Sequence, residues 1–176
     1  MRSISTFITT KLKLKVNQQK SAVARPWERK FLGFSFTNGA QPKRRIAPKA
    51  LVRFKERIRE LTRRTRGVSI EEMAAELGGY LRGWYAYFGV CETPSVLKEL
   101  DQWMRRRLRS FLWKQWKRGP VRFSELTRRG VKKDLAIRTV KTPHGPWYLA
   151  ASPGVTFALP NAYFASLGIP RLFRHR

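Results

Sequence analysis

The sequence predicts a mainly α protein: a three-helix bundle, preceded by a short N-terminal β-hairpin and followed by a C-terminal tail of short helices. Three observations carry this reading. Apolar residues recur at helical steps through the middle of the chain, Thr37-Asn38-Gly39 marks a turn between two short extended runs, and the elements shorten past Pro120. The stretch Gly78 to Val90 anchors the bundle. Leu77, Leu81, Trp84, Tyr85 and Phe88 lie on one side of a helix, and Gly79 and Gly83 leave a strip open to a second helix or a phosphate backbone. Each glycine costs such a helix roughly 1 kcal/mol relative to Ala, so packing must hold it, and it is expected to be the central helix.

A chain of 176 residues makes one domain of ordinary size, or a small domain with an extended flank, and 42% hydrophobic residues with six Trp and eleven Phe supply a core. The net charge of +27 dominates the composition. Such a surplus repels itself and calls for a polyanion, nucleic acid first and an anionic membrane surface second. The single cysteine, Cys91, rules out an internal disulfide framework and fits a reducing compartment. No apolar run approaches the roughly 20 residues of a membrane span, and Lys11 and Lys13 interrupt any signal-peptide core. A mitochondrial presequence is the alternative, because the first 27 residues hold no acid. The expected location is cytoplasmic in a bacterium, or organellar in a eukaryote.

In chain order, Ile4, Phe7, Ile8 and Leu12 form a short helical stripe. Leu12, Leu14 and Val16 alternate with lysines as a half-buried strand, and Asn17 to Lys20 follow as a turn. Phe31, Gly33 and Ser35 alternate with Leu32, Phe34 and Phe36 in a second strand, with Arg44 to Ile46 as its return. The first bundle helix begins near Pro48, buries Leu51, Phe54, Ile58 and Leu61, and ends at Gly67. Ser69 and Glu72 read as a capping box for the second, with Val68 stapled onto Met73. Thr93-Pro94 starts the third, whose stripe is Leu97, Leu100, Met104, Leu108 and Phe111 and whose end is Gly119-Pro120. Shorter helices are expected over Phe123 to Arg129 and Val131 to Val140, and from Ser152-Pro153 and Pro160-Asn161.

Residues suited to catalysis are few. His144, His175 and Cys91 offer no metal-ligand spacing, and the two aspartates, Asp101 and Asp134, lie in basic helices where ion pairing accounts for them. No phosphate loop is present. No cofactor or metal is expected. Basic residues interleaved with aromatics remain. Lys and Arg neutralise phosphates, giving salt-sensitive binding, and exposed rings stack on unpaired bases. Trp84, Tyr85, Phe88 and Phe111 are expected in the core, whereas Tyr80, Tyr87, Trp113 and Trp116 suit core and stacking equally.

These residues resemble the C-terminal part of a group II intron-encoded reverse transcriptase/maturase. Leu12 to Ser21 resembles the last palm strand and its Asn-x-x-Lys turn, and Arg29 to Phe36 resembles the primer-grip hairpin. Pro48 to Arg118 resembles the thumb, or maturase-specific domain X, and Leu81 to Phe88 is similar to its Leu-x-Gly-Trp-x-x-Tyr-Phe pattern. The resemblance implies three regions: 1–46, a palm remnant; 47–130, the maturase-specific domain; and 131–176, its helical extension. It implies RNA contacts at Arg53, Arg57, Arg63, Arg64, Arg82, Arg105, Arg106, Arg107, Arg109, Lys114, Lys117 and Arg118. Primer-grip-like positions are Lys20, Arg29, Lys30, Phe31, Leu32, Gly33 and Phe34. The family's polymerase aspartates and Tyr-Ala-Asp-Asp loop have no counterpart here, and no Cys/His-rich endonuclease segment follows Arg176. The chain thus resembles a natural fragment, a split-gene half or a truncated reading frame. Group II intron RNA is the implied partner, with a separately encoded N-terminal reverse transcriptase half as a second and no membrane. A maturase module that assists splicing is the first reading, part of an RNA-directed DNA polymerase the alternative, and a remnant with nonspecific affinity the third.

Overall fold

The computed structural model describes residues 2–17, 19, 21, 23–63 and 66–173. It is mainly helical. Helix α1 spans Arg2–Thr10, a 3-10 turn Pro26–Glu28, and strands β1 and β2 Phe34–Phe36 and Arg44–Ile46. Helices α2 (Pro48–Leu61), α3 (Ile70–Phe88) and α4 (Pro94–Gln115) are the long ones. The tail holds α5 (Gly119–Arg128), α6 (Lys133–Lys141), α7 (Pro146–Leu149), α8 (Pro153–Ala158) and α9 (Asn161–Ser166).

The hairpin is antiparallel, pairing Phe34 with Ile46 and Phe36 with Arg44. Before it, Phe31 and Phe34 exchange two backbone hydrogen bonds of 2.9 Å around Leu32 and Gly33, whose φ angles are +49° and +78°. Two positive φ values in succession mark a type I′ turn, which suits the glycine and strains the leucine. The strand expected over Leu12 to Val16 does not form. Lys13 has φ +54° and the Leu14 N–H turns back to the Ile8 carbonyl at 3.2 Å, so extended pairing is interrupted.

Helix α2 buries Phe54, Ile58 and Leu61 as expected but stops at Leu61, short of Gly67. The last turn is closed by side chains instead of glycine. Thr62 Oγ1 donates to the Ile58 carbonyl at 2.6 Å, and Arg66 Nη1 to that of Leu61 at 3.0 Å. Ser69 caps α3 by accepting from the Glu72 N–H at 3.0 Å. Proline starts α4 at its first turn, and Thr93 adds no side-chain cap. That helix ends at Gln115, and Gly119-Pro120 begins α5 in place of ending α4, since proline belongs in a first turn.

The central helix is α4, not α3. The apolar stripe Leu97, Leu100, Met104, Leu108 and Phe111 is buried in one cluster with Phe54 and Ile58 of α2 and Leu77 and Leu81 of α3. A second flank buries Asp101, Arg105, Leu112 and Trp113, toward the tail. One hydrophobic cluster therefore runs from Ile46 through Trp84 and Trp113 to Leu172. Tyr85, expected in the core, is 40% exposed. Gly78 admits the tail on α3: a Cβ there would lie 2.6 Å from the Gly168 carbonyl oxygen. The expected close-approach glycines, Gly79 and Gly83, have nothing within 4 Å of such a Cβ.

Candidate nucleic-acid interface

The arginine run on α4 divides by burial. Arg105 is 1% exposed, which removes it from the RNA-facing set. Its Nη2 donates to the carbonyls of Pro170 at 2.7 Å and Ile169 at 3.3 Å, and Asp101 lies 3.7 Å from its Nε. Burial pushes the guanidinium pKa below its ordinary value against the opposing pull of Asp101, yet arginine stays charged. Its neighbours are half-buried struts. Arg106 donates to the Trp147 carbonyl at 2.9 Å and lies over that indole at 4.6 Å. Arg107 reaches Thr62 Oγ1 at 2.6 Å, linking α4 to α2. Arg109 donates to the Leu159 carbonyl at 2.9 Å and Asn161 Oδ1 at 3.0 Å. The expectation that this run turns outward is corrected. A helical stripe reports where apolar partners lie, but the tail presents backbone carbonyls, which need donors.

The other basic positions stay at the surface. Arg53 and Arg63 are exposed with no side-chain acceptor among the described residues. Arg57 is exposed and paired with Glu60 at 2.9 Å. Arg82 is exposed, with a long 3.5 Å contact to the Gly168 carbonyl. Lys114, Lys117 and Arg118 are exposed around the C-terminal end of α4. Arg64 and Lys20 lie outside the described residues.

The α2–α3 groove holds side chains that the sequence did not mark. Two clefts, of about 660 Å3 and 460 Å3, open along it, and Tyr80 lines both. Arg66, absent from the expected set, lines the larger and pairs with Glu76 at 2.7 Å. Rings run through the groove in sequence: Tyr80 to Phe54 at 6.0 Å, Phe54 to Trp84 at 4.4 Å, Trp84 to Phe88 at 4.8 Å, and Phe88 to Phe34 at 5.2 Å. Trp113 and Trp116 are core, at 0% and 7% exposure. Burial raises the Tyr80 hydroxyl pKa, with Arg57 pulling the other way.

At its far end the groove meets the hairpin. Tyr87, 48% exposed, donates its hydroxyl to the Leu32 carbonyl at 2.8 Å. The Arg44 backbone accepts from the Glu92 N–H at 2.8 Å and donates its own N–H to the Glu92 carboxylate at 2.6 Å, fixing β2 to the α3–α4 loop. Phe31 and Leu32 project at 77% and 67% exposure beside an apolar cleft of about 430 Å3, which Arg29, Lys30 and Phe34 also line. Gly33 is required here, because a Cβ would sit 3.1 Å from the Phe88 ring.

Residues 51–130 match the family model described as Group II intron, maturase-specific domain. Segment 51–130 is thus similar to a group II intron maturase-specific domain. The matched segment contains α2, α3, α4 and α5, hence both walls of the groove and the whole arginine run. No curated protein matches the chain. Among the described residues, no helix is long and apolar enough to cross a membrane, and no three His, Cys, Asp or Glu side chains group to hold a metal.

Proposed function

We propose that this chain is the RNA-binding module of a group II intron maturase. It grips folded intron RNA by its phosphates, stabilises the active form and so assists splicing without bond chemistry of its own. The match of residues 51–130 to the maturase-specific domain carries the reading. The +27 charge supports it, as do cationic side chains left exposed at Arg53, Arg63, Lys114, Lys117 and Arg118. The test is splicing of the intron RNA encoded beside this reading frame, at a magnesium concentration where the RNA alone splices slowly. Addition of the chain should accelerate splicing, and tight binding without acceleration would overturn the maturase role.

The exposed apolar tip at Phe31 and Leu32 favours a second reading, in which the hairpin docks a separately encoded polymerase half. Two-metal nucleotidyl transfer needs clustered carboxylates, which that half would supply. Primer extension that appears only when both halves are mixed would support it.

A further inference from the structure

The two clefts of the α2–α3 groove meet at Tyr80, and their linings differ. The larger is ionic: Arg57, Arg63 and Arg66 face Glu60 and Glu76. The smaller is aromatic, lined by Phe54, Tyr80, Trp84 and Phe88 together with Arg53 and the Leu32-Gly33 turn. Ion pairs occupy Arg57 and Arg66. Arg53 and Arg63 have no carboxylate partner among the described residues, so the groove keeps two uncompensated cations, one toward each end. Tyr80 is half-buried, stacked on Phe54 at an interplanar angle of 29°, and its hydroxyl has no hydrogen-bond partner among the described residues.

The geometry points to this groove as the seat of an unpaired RNA nucleotide, its base against Tyr80 and phosphates of its strand, a few nucleotides apart, on Arg53 and Arg63. This rests on the RNA-binding reading and adds to it the form of RNA that the site selects. A base inside a duplex has both faces stacked and its edge paired, so it cannot enter a cleft walled by rings, whereas a bulged or looped base can. Eight of the ten steps from Arg53 to Arg63 lie within α2, about 12 Å of helix rise. Successive phosphates of a stacked strand advance about 3.4 Å. The two arginines therefore bracket a short run of backbone and leave the ring between them for a base. A purely electrostatic ledge has no use for the aromatic walls.

The test uses the full chain and two RNA hairpins, one carrying a single bulged 2-aminopurine and one fully paired. The bulged hairpin should bind about five- to a hundredfold more tightly, the range that stacking on one ring supplies, with the 2-aminopurine fluorescence quenched. Tyr80→Phe should keep the preference. Tyr80→Leu should abolish it while leaving affinity for the paired hairpin unchanged, with folding checked by circular dichroism. Should Tyr80→Leu not fold, Arg53→Gln takes its place and should weaken the bulged hairpin more than the paired one. Equal binding of both hairpins by the native chain overturns the nucleotide seat while leaving RNA binding intact. Preference for the bulge without quenching also overturns it. Binding of neither hairpin overturns the seat and the RNA-binding reading together.

Discussion

Arg105 donates to the Pro170 carbonyl at 2.7 Å, while Asp101, one turn earlier on α4, accepts from the Leu172 N–H at 3.1 Å. Two charged residues of the longest helix thus bind three residues, Ile169, Pro170 and Leu172, of a tail that has no regular structure there. The tail closes the core, since Ile169 and Leu172 are fully buried. Removing the donor leaves Asp101 and two carbonyls without it in a buried site. Arg105→Met should therefore destabilise the fold by about 3–5 kcal/mol. Thermal denaturation measures this. An unchanged melting temperature with reduced RNA affinity would return Arg105 to the interface.

The glycines of α3 should respond in opposite directions. Gly78→Ala places a Cβ 2.6 Å from the Gly168 carbonyl oxygen, which is backbone and can move only with the tail. It should lower the melting temperature. Gly79→Ala and Gly83→Ala meet nothing within 4 Å, and each should stabilise the helix by roughly 1 kcal/mol. Parallel melts of the three variants check this, and a stabilised Gly78→Ala would refute the close tail contact.

Leu32 holds a φ of +49° at a turn position that prefers Asn or Gly. Left-handed backbone costs an ordinary residue roughly 1–2 kcal/mol. Leu32→Asn should therefore stabilise the chain, observable as a raised denaturation midpoint. If the exposed leucine also docks a polymerase half, the same variant should weaken that association. Lower stability for Leu32→Asn would show that the side chain is held by packing within this chain.

Lys117 and Arg118 test the phosphate grip more cleanly than Arg106 and Arg109, which hold the tail. Replacing both with Gln should lower the salt slope of RNA binding by about one unit per lost phosphate contact, with the fold intact. Arg109→Gln should instead reduce stability, because the Leu159 carbonyl loses its donor. The matched change of Lys132 and Lys133, exposed at the start of α6, is the control. Equal loss from the control pair would mean that charge acts diffusely. Native affinity should itself fall on the order of a thousandfold between 50 and 200 mM salt, if six or more phosphates are neutralised.

The long helices, the Ser69 cap and the hairpin's return strand were legible because each follows from local rules. Apolar spacing sets the buried stripes of α2 and α4, Ser69 supplies an acceptor to the unpaired N–H donors of a helix start, and Pro94 cannot sit except in a first turn. The +27 charge likewise points to a polyanion from composition alone. Which arginines are free to meet it was not legible. Arg105, Arg106 and Arg109 look the same in sequence as Lys114 and Arg118, yet the tail folds back across α4 and consumes the first three as donors. The return of the tail also explains why Gly78 and not Gly79 is the tight position. Periodicity records a helix's own faces. Only the tertiary fold decides which face meets a backbone that needs hydrogen bonds, and so which cations remain for RNA.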